Sequence, residues 1–173
     1  EHGYLGFLRE DTVPETIRER AVKASLSACR KTGNVPIIVY YSLGIMFVEL
    51  IMRGRSLCPE AWDLVKRSLA DKNAWPPVHT IAMQVLCRGI QIVRGNIYAE
   101  HAIPLLPHVG VTLDCNMDQD DLVCHAVHLI KTVVTHAGST EAFDAIINAG
   151  VLPVIVKVAK VRANDCNGDK CLE

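Results

Sequence analysis

Apolar residues recur along the chain at helical rather than strand spacing. Ile17, Ala21, Ala24 and Ala28 follow one another at intervals of three or four residues, which places them on one face of a helix. This pattern predicts a first helix over residues 14–32, and similar patterns recur to the end of the chain. The other predicted helices cover residues 36–53, 58–73, 77–95, 97–101, 102–114, 119–137, 140–150 and 151–165.

Capping residues and glycines mark the ends of the first helix. Thr12 and Glu15 have the spacing of a capping box, in which the two side chains hydrogen-bond the free amides of the first turn. Pro14 falls in that turn, where its missing N–H is not needed. Gly33 follows the last apolar position and is expected to end the helix.

The middle of the chain gives the same helical prediction. Trp62, Val65 and Leu69 are spaced i, i+3, i+7 and are expected to pack in the core. Pro104 and Pro107 fall in the first turns of the helix over 102–114. The Val and Ile runs are short and are interrupted by Ala and Leu, so no strand is predicted. The fold class is all-α.

The helices repeat at a regular interval. Ala82 and Ala126 are 44 positions apart in two helices with the same apolar pattern, and Gly95 and Gly138, which follow those helices, are 43 apart. Stacked helical repeats have periods of about 40–47 residues. The spacing therefore predicts helical repeats that bury their apolar faces against one another.

One segment resembles a specific repeat family. Residues 139–160 read STEAFDAIINAGVLPVIVKVAK, a short helix ending in Ala149 and Gly150, followed by two apolar residues and Pro153. This arrangement resembles the first two helices of an armadillo repeat. The preceding segment, 121–139, resembles the third helix of such a repeat, including its Ala-Gly-Ser ending.

The resemblance implies a right-handed α-solenoid of about three armadillo-like helix pairs or triplets, incomplete at both ends. HEAT repeats remain an alternative for the N-terminal half. The chain is expected to form a single domain over 1–173, as a fragment of a longer protein. The predicted repeats cover 14–32 (partial), 35–95, 97–139 and 140–163 (partial), followed by a flexible tail over 164–173.

Composition narrows the function classes. The net charge of −1 does not provide the basic face of a nucleic-acid-binding protein. The longest apolar run, near residues 35–52, contains Glu49 and is not predicted to span a membrane. The seven cysteines are scattered through helical patterns rather than spaced as a disulfide framework. A reducing, cytoplasmic location is expected.

The segment LDCNMDQDDL carries oxygen-bearing side chains at alternate positions, as a calcium loop does. They belong to Asp114, Asn116, Asp118 and Asp120. A helix–loop–helix calcium site also needs Gly at its sixth position and Glu at its twelfth, where this chain has Gln119 and His125. The segment is therefore interpreted as a polar joint, with Asp118 capping the next helix. A calcium-responsive switch is kept as an alternative.

No other motif predicts a metal site or catalysis. Cys124, His125 and His128 lie close in sequence, but structural zinc sites use paired short spacings such as C-x-x-C, which are missing here. The chain also lacks a P-loop, a dinucleotide-binding glycine motif and a serine-hydrolase elbow. No metal, no cofactor and no enzymatic activity are expected.

The resemblance implies a protein-binding surface. In armadillo proteins the third helices line a concave groove, and those that bind basic nuclear-localisation peptides carry a Trp–Asn ladder there. That ladder is missing in this chain, so acidic or neutral extended segments are the expected ligands of a non-catalytic scaffold. The predicted contact residues are Lys23, Ser27, Gln84, Arg88, His128 and Thr132.

Two alternatives to this binding groove stay open. The six positions are equally compatible with ordinary solvated helix surface. A second copy of the chain is a further candidate partner, since the apolar ends of an incomplete solenoid favour self-association. The apolar segment GIMFVEL, residues 44–50, is the predicted place for that contact.

Overall fold

The structure, a computed structural model, describes residues 14–53, 57–92, 101–137 and 140–168. These residues form eight α-helices and a short 3-10 helix, Ile103–Leu105, and include no strand. The helices are α1 (Glu15–Lys31), α2 (Pro36–Arg53), α3 (Pro59–Ala70), α4 (Pro76–Ile92), α5 (Leu106–Cys115), α6 (Asp120–Ala137), α7 (Thr140–Asn148) and α8 (Val151–Gly168). The all-α prediction is confirmed for this part of the chain.

Prolines begin several helices, as the sequence predicts. Pro59 is the first residue of α3, Pro104 lies in the 3-10 helix and Pro107 in the first turn of α5. Helix α1 does not begin where the capping box predicts. Its N-cap is Pro14, which makes no side-chain hydrogen bond to the first turn. Thr12 lies outside the described residues.

Two glycines form the turns between helices. Gly33 follows α1 with φ of 64°, and Gly150 joins α7 to α8 with φ of 67°. This left-handed conformation is open to Gly at little cost. Gly110 of α5 has a different role, because a Cβ there would lie 3.4 Å from Val151 Cγ2. The lack of a side chain lets α5 pack closely on the start of α8.

The helices pack as a row with a second set behind it. In the row, α1 packs against α2, α2 against α4 and α4 against α6. Behind the row, α3 packs against α4 and α5, and α5 packs against α8. The Cys29 thiol of α1 donates to Ser42 Oγ of α2 at 3.1 Å, and Arg18 Nε lies 3.8 Å from Glu49 Oε2. These pairs show that α1 and α2 are antiparallel.

The core is centred on α2 and α4. Leu43, Met46 and Leu50 of α2 have no accessible surface, because α1 and α4 cover the helix on two sides. In the segment GIMFVEL, Met46 and Leu50 are buried and the other five residues are partly buried, because α2 lies between α1 and α4. The use of this segment for self-association stays a prediction. Trp62, Val65 and Leu69 of α3 are buried as expected, at 7 % exposure or less.

The predicted repeats correspond to helices with small shifts. The segment 35–95 contains α2, α3 and α4, and 97–139 contains α5 and α6. The segment 140–163 contains α7 and α8, but α8 continues to Gly168. The first part of the predicted tail, 164–168, is thus helical, whereas 169–173 lie outside the described residues, as do 93–100.

Within the described ranges, no single helix is both long and apolar enough to cross a membrane. One bent pair, Ala142–Asn148 with Val151–Val161 at 65°, meets the requirement by length and composition alone.

His79 is the most deeply buried titratable group in the core of α4, with 1 % of its surface exposed. Its Nε2 lies 2.9 Å from the Asp71 carbonyl oxygen, so Nε2 carries the hydrogen and donates it. Its Nδ1 has no partner in the part of the chain that is described. Burial lowers the pKa of His79 below 6.5, and the hydrogen bond and charge of Asp71 offset this only in part.

We expect the apolar face of α2 to contribute strongly to stability. Leu43→Ala should lower the free energy of unfolding by about 2–5 kcal/mol, because it leaves a cavity between α1 and α4. Ile37→Ala on the same helix is the matched control, since Ile37 is 45 % exposed. Urea unfolding followed by circular dichroism measures both. Equal losses would contradict the assignment of α2 to the core.

We expect stability to fall at low pH because of His79. Below pH 6.5 the unfolded chain binds a proton that the folded chain does not, since the pKa of His79 is lower in the folded state. The contribution of neutral His79 to the free energy of unfolding is complete above pH 6.5. It decreases as the pH falls towards the pKa of His79 in the folded state. His79→Gln, which keeps an N–H donor, should flatten this part of the profile. Urea unfolding at a series of pH values tests it, and an unchanged slope in the variant would exclude His79 as the cause.

Candidate functional site

The exposed edge between α4 and α6 carries two pairs of amide and imidazole side chains. Gln84 Nε2 lies 2.7 Å from His125 Nε2, and Gln91 Nε2 lies 3.3 Å from His128 Nε2. The residue numbers of both partners increase together, so α4 and α6 run in the same direction. Gln84 and Gln91 are two turns apart on α4, which corresponds to a rise of about 10 Å.

The first pair requires a neutral imidazole. An amide N–H donates to a ring nitrogen only when that nitrogen is unprotonated, so His125 holds its hydrogen on Nδ1 in this arrangement. Burial lowers the pKa of His125 below 6.5; nearby Asp121 opposes the shift, and nearby His128 adds to it. The pair therefore presents a fixed, uncharged hydrogen-bonding group at neutral pH.

These side chains line an open groove along α4. One part, of about 830 Å³, is bounded by Tyr40 of α2 and by Asp120 and Asp121 of α6. The other part, of about 330 Å³, is bounded by Phe47 and Ile51 of α2 and by five polar residues, Gln84, Arg88, Gln91, His125 and His128. Both parts are lined by Gln84 and His125, so they adjoin at this pair and are together called the α4 groove.

Arg88 lies in the groove with most of its hydrogen-bonding capacity unused. Its Nη1 donates to Gln91 Oε1 at 3.4 Å, which is a long contact. Its Nε is buried and has no hydrogen-bond partner among the described residues. A guanidinium has five N–H donors, and buried ones are normally satisfied. Arg88 is thus able to bind an additional acceptor.

The structure brings three of the six predicted contact residues together. Gln84, Arg88 and His128 all line the α4 groove. Thr132 does not, because it is 3 % exposed and its hydroxyl donates to the His128 carbonyl oxygen at 2.8 Å. The prediction of Thr132 as a partner contact is therefore wrong.

The other two predicted residues are on α1, at a different place in the row. Lys23 is exposed and Ser27 is partly buried, and neither lines the α4 groove. The reason is the position of α2, which packs against both α1 and α4. Helix α2 supplies the wall of the groove next to α4.

Sequence reasoning missed Gln91, the pairing of His125 and the wall formed by α2. Tyr40, Phe47 and Ile51 are spaced i, i+7, i+11, which is one helical face and was the available signal. Gln91 follows Gln84 by seven residues and lies on the same face of α4.

The loop between α5 and α6 is held by its own contacts. Lys157 Nζ donates to Asp114 Oδ1 at 2.6 Å, and Asn116 Nδ2 donates to the Thr112 carbonyl oxygen at 2.9 Å. Helix α6 begins at Asp120, and the Gln119 carbonyl accepts the Val123 N–H at 3.0 Å. Gln119 is therefore the N-cap, and the assignment of that role to Asp118 is wrong. These contacts are those of a polar connection between two helices.

Metal-binding and cysteine chemistry find no support in the described ranges. No group of three or more His, Cys, Asp and Glu side chains there is arranged to hold a metal ion. Cys29, Cys58, Cys87, Cys115 and Cys124 are free thiols. Burial raises the pKa of Cys87, the one beside the groove, to about 12, and its hydrogen bond with Thr132 opposes this. A thiol with that pKa is a poor nucleophile.

Comparison of the chain with models of protein families, with curated proteins and with solved structures finds no match in any of the three. The functional argument therefore rests on the groove itself.

We expect Gln84→Ala to raise the pKa of His125. The Gln84 amide binds the neutral form of the imidazole, so its removal makes protonation easier. NMR titration of the imidazole protons measures this shift directly. Gln91→Ala is the matched control, because Gln91 contacts His128 instead. An unchanged pKa in Gln84→Ala, or an equal rise in both variants, would contradict the assigned pairing.

Proposed function

We propose that the chain is a non-catalytic interaction module of armadillo-like helical repeats, which binds an extended protein segment in the α4 groove. The observation that carries the proposal is the pair of amide–imidazole contacts that line the groove, Gln84 with His125, which is partly buried, and Gln91 with His128, which is exposed. They supply donors and acceptors at a fixed spacing, as recognition of a backbone requires.

The repeat architecture is supported by the sequence separation of its contacts. Gln84 and His125 are 41 residues apart, and Asp114 and Lys157 are 43 apart. Both separations are close to the period of about 40–47 residues expected for such repeats. Contacts of this kind join neighbouring units of a stack, which the proposal takes to be a right-handed solenoid.

The larger part of the groove is lined mainly by polar surface, which favours an extended occupant over a helical one. A docked helix satisfies its own backbone and needs a groove that is mainly apolar. An extended segment has unpaired N–H and C=O groups, which Gln84 and Gln91 are able to bind. Its rise of about 3.3 Å per residue places about three residues between these two amides.

A second candidate function is assembly with another helical unit. On α7, Phe143 is 51 % exposed and Ile147 is 59 % exposed; on α8, Leu152 is 43 % exposed and Val156 is 52 % exposed. Exposed apolar residues grouped in this way are typical of contact surfaces. Assembly would then use α7 and α8 instead of the segment 44–50.

Site-specific photocrosslinking tests the proposal. A benzophenone amino acid is placed at His128 in the groove, at Ile147 on α7, or at Lys72, which is exposed in the turn before α4. Each variant is irradiated in a lysate of cells that produce the protein. We expect a discrete crosslinked protein at position 128 and little or none at position 72.

The other outcomes have definite meanings. A crosslink at position 147 alone, to a second copy or to another helical protein, would favour assembly and contradict the groove. Equal crosslinking at positions 128 and 72 would show that the groove is not selective. The crosslink at position 128 should also weaken when Gln84 and Gln91 are both changed to Ala, since those amides are proposed to hold the segment.

A further inference from the structure

The two ends of the α4 groove carry opposite charges. Asp121 lies at the beginning of α6 and bounds the larger part of the groove. Arg88 lies one helical turn beyond Gln84 and bounds the smaller part. A ligand lying along α4 therefore meets a negative group at one end and a positive group at the other.

Arg88 has the properties of a carboxylate receptor. Among the described residues, its Nη1 makes one long hydrogen bond, 3.4 Å to Gln91 Oε1, and its inaccessible Nε has no partner. The planar guanidinium binds carboxylates through two parallel hydrogen bonds, and partial removal from water strengthens them. The Nη groups, and not the inaccessible Nε, are the donors that a ligand carboxylate would meet.

Apolar side chains stand directly beside this cation. Phe47 and Ile51, one turn apart on α2, are partly buried and form the opposite wall of the smaller part of the groove. They provide a surface for an apolar side chain of the ligand next to its carboxylate. The larger part also has apolar lining, from Pro76, Pro77 and Ile81, but the charged residues there are the two aspartates instead of an arginine.

The distance between the two charged ends limits the spacing in the ligand. Asp121 precedes His125 by four residues on α6, and Arg88 follows Gln84 by four residues on α4. Because Gln84 and His125 are at the same level, the charges are separated by about 12 Å along the helix axes. An extended chain covers that distance in three to four residues.

We infer that the segment bound in the α4 groove carries an acidic residue beside an apolar one, with a basic residue three or four positions away. The inference rests on the proposed function and specifies its ligand. The acidic residue pairs with Arg88, its apolar neighbour packs on Phe47 and Ile51, and the basic residue pairs with Asp121. The order of these residues sets the direction in which the segment lies.

Selection from a display library of short random peptides tests this inference without a known partner. The library is selected in parallel against the wild type, Arg88→Glu, Asp121→Lys and Arg67→Glu. Arg67 is an exposed arginine on α3 that does not line the groove, so it controls for the change in net charge. Circular dichroism and thermal unfolding first establish that all four proteins fold alike.

We expect the wild type and Arg67→Glu to select peptides with the acidic, apolar and basic residues in the stated spacing. Arg88→Glu should replace the acidic preference by a basic one and keep the apolar neighbour. Asp121→Lys should reverse the preference at the other end alone. A wild-type peptide should bind Arg88→Gln roughly tenfold more weakly or worse, as loss of a charged hydrogen bond implies.

Two negative results are distinguishable. If selected peptides lose binding when Gln84 and Gln91 are changed to Ala, but their charges are the same for the wild type and Arg88→Glu, the inference is wrong and the binding groove stands. If no selected peptide depends on Gln84, Gln91 or His128, the proposed function itself is wrong.

Discussion

The burial of α4 by neighbours on three sides is the constraint on which the rest of the structure depends. Helices α2, α3 and α6 all pack against it, and Ala82, Met83, Val85 and Leu86 have no accessible surface. Only a narrow strip of α4 reaches solvent, and its polar residues form the floor of the groove. The same packing that makes the core thus determines the position and the width of the groove in which the proposed ligand would lie.

Two buried nitrogen atoms have no hydrogen-bond partner among the described residues, and they belong to side chains with different surroundings. His79 Nδ1 and Arg88 Nε are both inaccessible and unsatisfied among the described residues. His79 is enclosed in the core and remains neutral, as its lowered pKa indicates, so it avoids the cost of burying a charge. Arg88 stays charged at neutral pH and its guanidinium borders the groove. An external carboxylate would therefore meet the Nη groups of Arg88, which border the groove, but neither the Arg88 Nε nor the His79 ring.

Much of the fold was predictable because its signals are local. The prolines that begin α3 and α5, the glycine turns and the Trp62–Val65–Leu69 face follow from spacing and backbone preference within single helices. The surface was less predictable, because a step of four residues turns a helix by about 40°. That rotation takes His128, which is exposed, to Thr132, which faces Cys87. The contact of Gln84 with His125 depends on the register between α4 and α6, which the 44-residue offset gives only to within one turn. The position of the segment 44–50 in the middle of the row of helices was not predictable, because an apolar pattern does not distinguish a middle helix from an end helix.

Helix α4 both packs in the core and lines the groove, and this double use has an evolutionary consequence. Residues 84, 88 and 91 are spaced four and three positions apart on a strip that contributes few apolar contacts to the core, whereas 82, 83, 85 and 86 supply those contacts. Under the proposed function, substitutions in the first set would alter what the surface selects while the scaffold persists. Specificity would then diverge through single changes, without compensating changes in the interior.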